Sequence, residues 1–234
     1  MQAKTLGKLI VIEGGDGLGK STQYNLLKNY LLSLDYEIIY FDFPNKTGTP
    51  IGNLIGNFLS SKYGAVSPEF LSLAFAIDRF VSKEKILEAL NDGKIVLCDR
   101  FVLSNIAFQT SKLEKSEDKQ ELEKLLNWLE YETFCLPKPD IEIVITAPDE
   151  HYSRGHHLVR SEDVTRSYVT DKDADIHEKD SSLQLNVNSY FRNLSSSSNR
   201  VLINAYNEDG NRLKVEQVHK QIVGFVDQIL GNGS

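Results

Sequence analysis

Short apolar runs alternate along the chain with longer stretches in which apolar positions recur every three or four residues. The runs at 8–13, 37–43, 95–99, 141–146 and 200–204 are rich in Ile and Val on successive positions, as strands buried on both faces should be. Helical periodicity occupies 20–34, 49–60, 68–91, 119–134, 181–194 and 215–230, and Asn91-Asp92-Gly93 supplies a stop signal after the third of these. Strand and helix in repeated alternation predict an α/β fold with a parallel sheet covered by helices.

Between the fourth strand and the helix at 181–194, residues 149–179 are polar and charged without sustained periodicity, which predicts a mobile excursion. No internal repeat is evident, the serine run at 195–198 reads as a turn, and 231–234 reads as a frayed, flexible tail. With 234 residues, 41% hydrophobic and 25% charged, the composition is globular and one domain over 1–230 is expected. The 26 basic against 33 acidic residues give a charge of -7, so broad attraction to nucleic acid is not expected and an anionic ligand needs a local site. No apolar run approaches the roughly 18 residues of a membrane helix, the start lacks a signal-peptide pattern, and a cytoplasmic location is expected. Cys98 and Cys135 lie in apolar surroundings outside any CxxC spacing and read as free, buried thiols.

The sharpest motif is Gly14-Gly15-Asp16-Gly17-Leu18-Gly19-Lys20-Ser21, which fits GxxxxGK[ST] between a predicted strand and a predicted helix. Its glycines let backbone N–H groups converge on phosphate oxygens, the helix N-terminus adds a favourable dipole, and Lys20 adds a point charge. The Ser21 hydroxyl can serve a magnesium ion. This cradle predicts a nucleoside triphosphate site but is common to GTPases, motor ATPases and small-molecule kinases. Asp16 is unusual inside a phosphate loop: it points either to an acceptor hydroxyl or to nearby loop N–H groups.

After the third strand, Cys98-Asp99-Arg100-Phe101 places an acid and a base at the carboxyl edge of the sheet, where ligands of open α/β sheets bind. There Asp99 can hold magnesium through water and Arg100 can neutralise phosphate charge; a surface ion pair is the plainer reading. Phe75 and Arg79, four apart on a predicted helix, share a face and suit a stacked base and a gripped monophosphate. Taken alone, Phe75 reads first as a core residue.

These blocks together resemble the thymidylate kinases, which phosphorylate dTMP. The matching segments are Glu13 to Gln23, Phe43-Pro44, Phe75 to Arg79, Asp99-Arg100-Phe101 with trailing Ser104-Asn105, and Leu136-Pro137-Lys138-Pro139-Asp140. The resemblance implies a P-loop NTPase fold with five parallel strands and a lid, ATP over Gly14, Gly15, Asp16, Gly17, Leu18, Gly19, Lys20, Ser21 and Thr22, and dTMP opposite. It further implies that Asp16 bonds the 3′-hydroxyl, Phe75 stacks on thymine, and Asn105 reads the base edge. Arg79 and Arg100 would hold the phosphate and Phe108 would crowd the sugar 2′ position. Phe43, Pro44, Ser104 and Gln109 complete the expected acceptor site, while Ser21 and Asp99 form the expected Mg2+ site.

By the same resemblance, 149–179 corresponds to an arginine-bearing lid. With Gly17 in the loop where an arginine could stand, Arg154, Arg160 or Arg166 would supply the transition-state cation beside Lys20, Arg100 and Asp16. Asp175 and Glu178 match the lid's acidic end or a solvated helix face, and His156-His157 reads as a solvated pair without a third ligand. Three departures stand out: Asn45-Lys46 follows Phe-Pro where the family carries arginine, Phe101 replaces a tyrosine, and the lid reads Arg-Gly-His-His. The family is commonly homodimeric, which sets that expectation here. The alternatives are a related pyrimidine nucleotide or deoxynucleoside kinase, and a nucleotide-binding homologue without catalysis.

Overall fold

The structure is a computed structural model and describes residues 6–64, 66–153 and 180–232. Five parallel strands lie in the order β2-β3-β1-β4-β5: β1 Lys8–Gly14, β2 Ile38–Asp42, β3 Ile95–Asp99, β4 Ile141–Thr146 and β5 Arg200–Asn204. All five runs of the sequence pattern are therefore strands, displaced by at most one residue at their ends. In register, Ile10 stands beside Leu97 on β3 and Ile141 on β4, so β1 is the central strand. The phosphate motif follows it directly.

The period-two alternation of β1 sends Ile10 and Ile12 to one face and Leu9 and Val11 to the other. On the first face they meet Leu27 and Leu31 of α1 (Lys20–Ser33) and Val218, Ile222 and Val226 of the terminal helix Val215–Leu230. On the second they meet Ile86 of α3 (Pro68–Asn91), Ile106 of α4 (Val102–Thr110), and Leu122 and Leu126 of α5 (Ser116–Asn127). A short α2 (Pro50–Leu59) packs on α3 through Ile55 and Leu59 against Leu71 and Ala74.

Local chemistry sets the element ends. Helix α3 starts where Ser67 Oγ accepts the Phe70 N–H with Pro68 at the first position, and it stops before Gly93 at φ 81°. Past the fourth strand, α6 (Glu150–Ser153) precedes α7 (Ser181–Arg192), whose first turn is capped by the Asp180 carboxylate on the Leu183 N–H; the terminal helix is α8.

Four features depart from the sequence reading. Helix α4 was not expected: all nine of its residues are buried, so no polar face alternates with an apolar one to mark it. The helix expected at 119–134 begins at Ser116 and is α-helical only to Asn127, widening into a π-helical turn over Trp128–Thr133. Cys98 is buried, but Cys135 is exposed, because it turns the chain after that π segment at φ 51°. The excursion expected from 149 begins instead with ordered packing: His151 and Tyr152 of α6 are buried.

Candidate active site

The loop between β1 and α1 crosses the carboxyl edge of the sheet with almost no room for side chains. A Cβ on Gly14 would fall 2.3 Å from the Ile145 carbonyl oxygen, and one on Gly15 would fall 2.1 Å from the Tyr152 hydroxyl. Gly14 also has φ 137°, so glycine is required there twice over. Helix α1 begins on Gly19 with no side-chain cap, so its first N–H groups are offered to an anion. Lys20 is buried; its ammonium donates to the Gly15 carbonyl at 2.6 Å and lies 3.5 Å from Asp16 Oδ1.

Asp16 joins the loop to the next strand. Its carboxylate pairs with Arg100 Nη2 and accepts from Gln184 Nε2 at 2.6 Å, while its own N–H donates to Gln184 Oε1 at 3.0 Å. Arg100 sits in the left-handed region at φ 67°, a costly conformation for a bulky residue. That backbone turn aims Nη1 at the Gly14 carbonyl and at Ser104 Oγ, each at 3.1 Å, and lays the guanidinium 4.8 Å from the centre of the Phe108 ring.

Beneath them Glu13 is fully buried. Its Oε1 accepts from the N–H of Phe101 at 2.9 Å and of Ser104 at 3.3 Å, and Oε2 accepts the Ser104 hydroxyl. Burial pushes the Glu13 carboxyl up to about 7, against the opposing pull of Ser104. Glu13 thus ties β1 to the start of α4. The Ser21 hydroxyl donates to Asp99 Oδ2 at 3.4 Å, placing the two expected magnesium residues side by side. Leu18 is core, and Thr22 sits in the first turn of α1.

A second grouping forms on the α3 side. Arg79 is buried and makes two bonds to Glu130, Nε to Oε2 at 2.5 Å and Nη2 to Oε1 at 2.6 Å. Asn105 Nδ2 donates to the same Glu130 Oε1 at 3.1 Å and to the Ser72 carbonyl at 3.0 Å. The structure therefore brings Arg79 together with Asn105, and Arg100 together with Asp16, Ser104 and Phe108. Phe75 is half-buried beside Leu71 and Ala74. Phe43 is buried against Phe41 and Phe101 and begins a cis peptide to Pro44. Gln109 is buried and accepts from Lys112 at 2.9 Å. The Asn45-Lys46 departure sits in a turn anchored on α3, with the Asn45 N–H donating to Asp78 Oδ2 at 2.7 Å.

Glu130, Gln184, Asp78 and Arg212 escaped the sequence reading. Arg212 Nη2 donates to the Gly17 carbonyl at 3.0 Å across 195 residues of chain, and no local pattern foretells such a contact. Glu13 carried a signal, a carboxylate closing an apolar strand. Arg154, Arg160, Arg166, Asp175, Glu178, His156 and His157 lie outside the described residues.

Comparison with known proteins accounts for this combination. The family model for thymidylate kinase matches residues 12–222. A probable thymidylate kinase of Thermococcus kodakarensis is 30% identical over 95% of this chain and 98% of its own length. The thymidylate kinase of Thermoanaerobacter sp. (strain X514) is 42% identical over 44% of this chain, and the matched part spans 50% of that protein. The solved thymidylate kinase of Candida albicans superposes with a TM-score of 0.72 at 26% identity, covering 95% of this chain and 92% of that one. With nearly the whole chain matched and the loop, the Asp-Arg edge and the five-stranded order all in place, the chain belongs to the thymidylate kinase family.

Proposed function

We propose that the protein, acting as one kinase domain over 1–230, transfers the γ-phosphoryl of ATP to dTMP, giving dTDP and ADP. The observation that carries this reading is the Asp16–Arg100 pair with Lys20 3.5 Å from the same carboxylate oxygen. It places two cations and a hydroxyl-accepting carboxylate between the phosphate cradle and the β3 edge, where donor and acceptor phosphates must meet in line.

Lys20 and the first N–H groups of α1 hold the donor phosphates, Arg100 steadies the transferring group, and Asp16 accepts from the acceptor's 3′-hydroxyl. Ser21 and Asp99 fit Mg2+, since both are oxygen donors and already lie at hydrogen-bond distance. Bound there, the ion would neutralise charge on the donor phosphates. A lid arginine, Arg154, Arg160 or Arg166, would supply the remaining transition-state cation, as the family resemblance implies.

The Glu130 contact refines the role of Arg79. A guanidinium already neutralised by a buried carboxylate suits an uncharged oxygen better than a phosphate dianion, so Arg79 serves the base beside Asn105 while Phe75 stacks. Phe70, Leu73, Ile77 and Phe80 form an exposed apolar stripe along α3, which supports a homodimer packed through that helix. A sedimentation shift to monomer in Ile77→Glu tests it. The expected location is the cytoplasm; among the described residues no helix is long and apolar enough to cross a membrane.

The decisive experiment incubates the protein with ATP, Mg2+ and dTMP and identifies the product chromatographically. Formation of dTDP with equimolar ADP supports the reading. Binding of both nucleotides without product would make the protein a non-catalytic homologue.

A further inference from the structure

The π-helical turn at Trp128–Thr133 has a consequence for the acceptor pocket. Helical spacing carries both Leu129, seven positions after Leu122, and Glu130, four after Leu126, toward the buried face. In the wider turn Leu129 is only half-buried and Glu130 goes fully inside. The Phe134 N–H reaches back five residues to the Leu129 carbonyl at 2.8 Å, and the Leu136 N–H closes on the Glu130 carbonyl at 2.9 Å. Such turns are rare and concentrate at functional sites. Here a carboxylate, rather than the neighbouring leucine, takes the buried position one turn after Leu126.

That carboxylate meets Asn105, expected at the base edge, and Arg79, expected at the phosphate and reassigned to the base in the function proposed above. Its two oxygens accept from Arg79 Nε and Nη2, and Oε1 also accepts from Asn105 Nδ2. The Ser72 carbonyl accepts from the same nitrogen. With two oxygens facing it, that side of the amide can only be the donor, because a flipped amide would set oxygen against oxygen. The other end, Asn105 Oδ1, is buried and has no partner among the described residues. An unpartnered buried acceptor is costly unless a ligand supplies its donor.

We propose that Glu130 is a positioning residue that orients the Asn105 amide with its oxygen toward the acceptor base and holds the Arg79 guanidinium beside it, selecting bases that carry N–H at ring position 3. Thymine and uracil offer that N–H together with a carbonyl at position 4 for Arg79. Cytosine presents a lone pair at position 3 and an amino group at position 4, so both contacts become repulsive. The inference rests on the dTMP reading given above.

The test compares kcat/KM for dTMP and dCMP in the full-length protein, Glu130→Gln and Glu130→Asp. Gln sets an N–H against one of the donors, and Asp keeps the charge but is one methylene short of one partner. Either change should lower the dTMP-to-dCMP ratio at least about tenfold by weakening dTMP, with the KM for ATP unmoved. A merely structural role would lower both acceptors together, leaving the ratio intact, and that result would overturn the proposal. The unmodified protein gives an independent check: dTMP methylated at N3 should be used at least about tenfold less well than dTMP. Equal use would also overturn it. Absence of any dTMP turnover in the unmodified protein would instead count against the function itself.

Discussion

On the donor side, consecutive residues from Gly14 to Ser21 make a cradle whose parts are neighbours in the chain. On the acceptor side, Ser72 and Arg79 come from α3, Asn105 from α4 and Glu130 from the π turn, and they meet only because three helices pack on one face of the sheet. The first arrangement works largely through backbone groups and glycine geometry. The second works through side chains that fix one another. A phosphate is the same in every nucleotide, so a local cradle suffices; a base must be distinguished by its edge, and that takes buried donors and acceptors whose orientation is imposed from outside.

The two sides should therefore break differently. Removing the loop cation tests the donor side most severely: Lys20→Ala should lower kcat by about a thousandfold while dTMP binding, measured by titration, stays nearly normal. Near-normal turnover would remove Lys20 from the chemistry. On the acceptor side, Arg79→Ala leaves the Glu130 carboxylate buried without its cation. We expect a stability loss of about 3–5 kcal/mol in urea unfolding, together with a KM for dTMP that rises far more than the KM for ATP. Equal rises in both KM values would sever Arg79 from the acceptor.

Glu13 lies at the seam of the two sides. Its carboxyl is raised from 4.5 to about 7, so between those values the folded protein binds a proton that the unfolded chain releases. The resulting stabilisation is complete below about pH 4.5 and is lost as pH rises through about 7. Glu13→Gln keeps acceptors for the Phe101 and Ser104 N–H groups, and it should flatten this pH dependence, a difference of a few kcal/mol at most across the window. An unchanged slope in denaturation curves from pH 4 to 8 would assign the dependence elsewhere. The smallest expected effect is at Arg212, exposed and bonded only to the Gly17 carbonyl in the described contacts. Arg212→Ala should raise the KM for ATP a fewfold and leave that for dTMP alone; the reverse pattern in steady-state kinetics would contradict a donor-side position.

The same contrast explains what was legible in the sequence. The five strands and the phosphate loop stand out because their signals are local: a run of β-branched residues, a glycine spacing, a strand before and a helix after. The Asp99-Arg100 edge and the Phe75 and Arg79 pairing are visible as spacings too. What escaped is what depends on packing. Helix α4 has no exposed face to give it a period, although it carries Ser104, Asn105, Phe108 and Gln109. Glu130 lies in a segment whose sequence reads as plain helix, where a charged residue is expected on the solvated face, yet it is buried against Arg79 and Asn105. Gln184 reaches Asp16 across 168 residues. Arg79 was visible as a residue, but its direction was not, because the carboxylate that neutralises it comes from another element.

The most direct test of the whole account is a ranking of acceptors under one set of conditions: Mg2+-dependent ADP release from ATP with dTMP, dUMP, dCMP, thymidine and no acceptor. The account predicts dTMP first, dUMP used through the same base edge, dCMP far behind, and neither thymidine nor the acceptor-free reaction above background. Thymidine or dCMP matching dTMP would contradict it, the first by removing the need for an acceptor phosphate beside Arg100 and the second by removing the base-edge reading at Asn105.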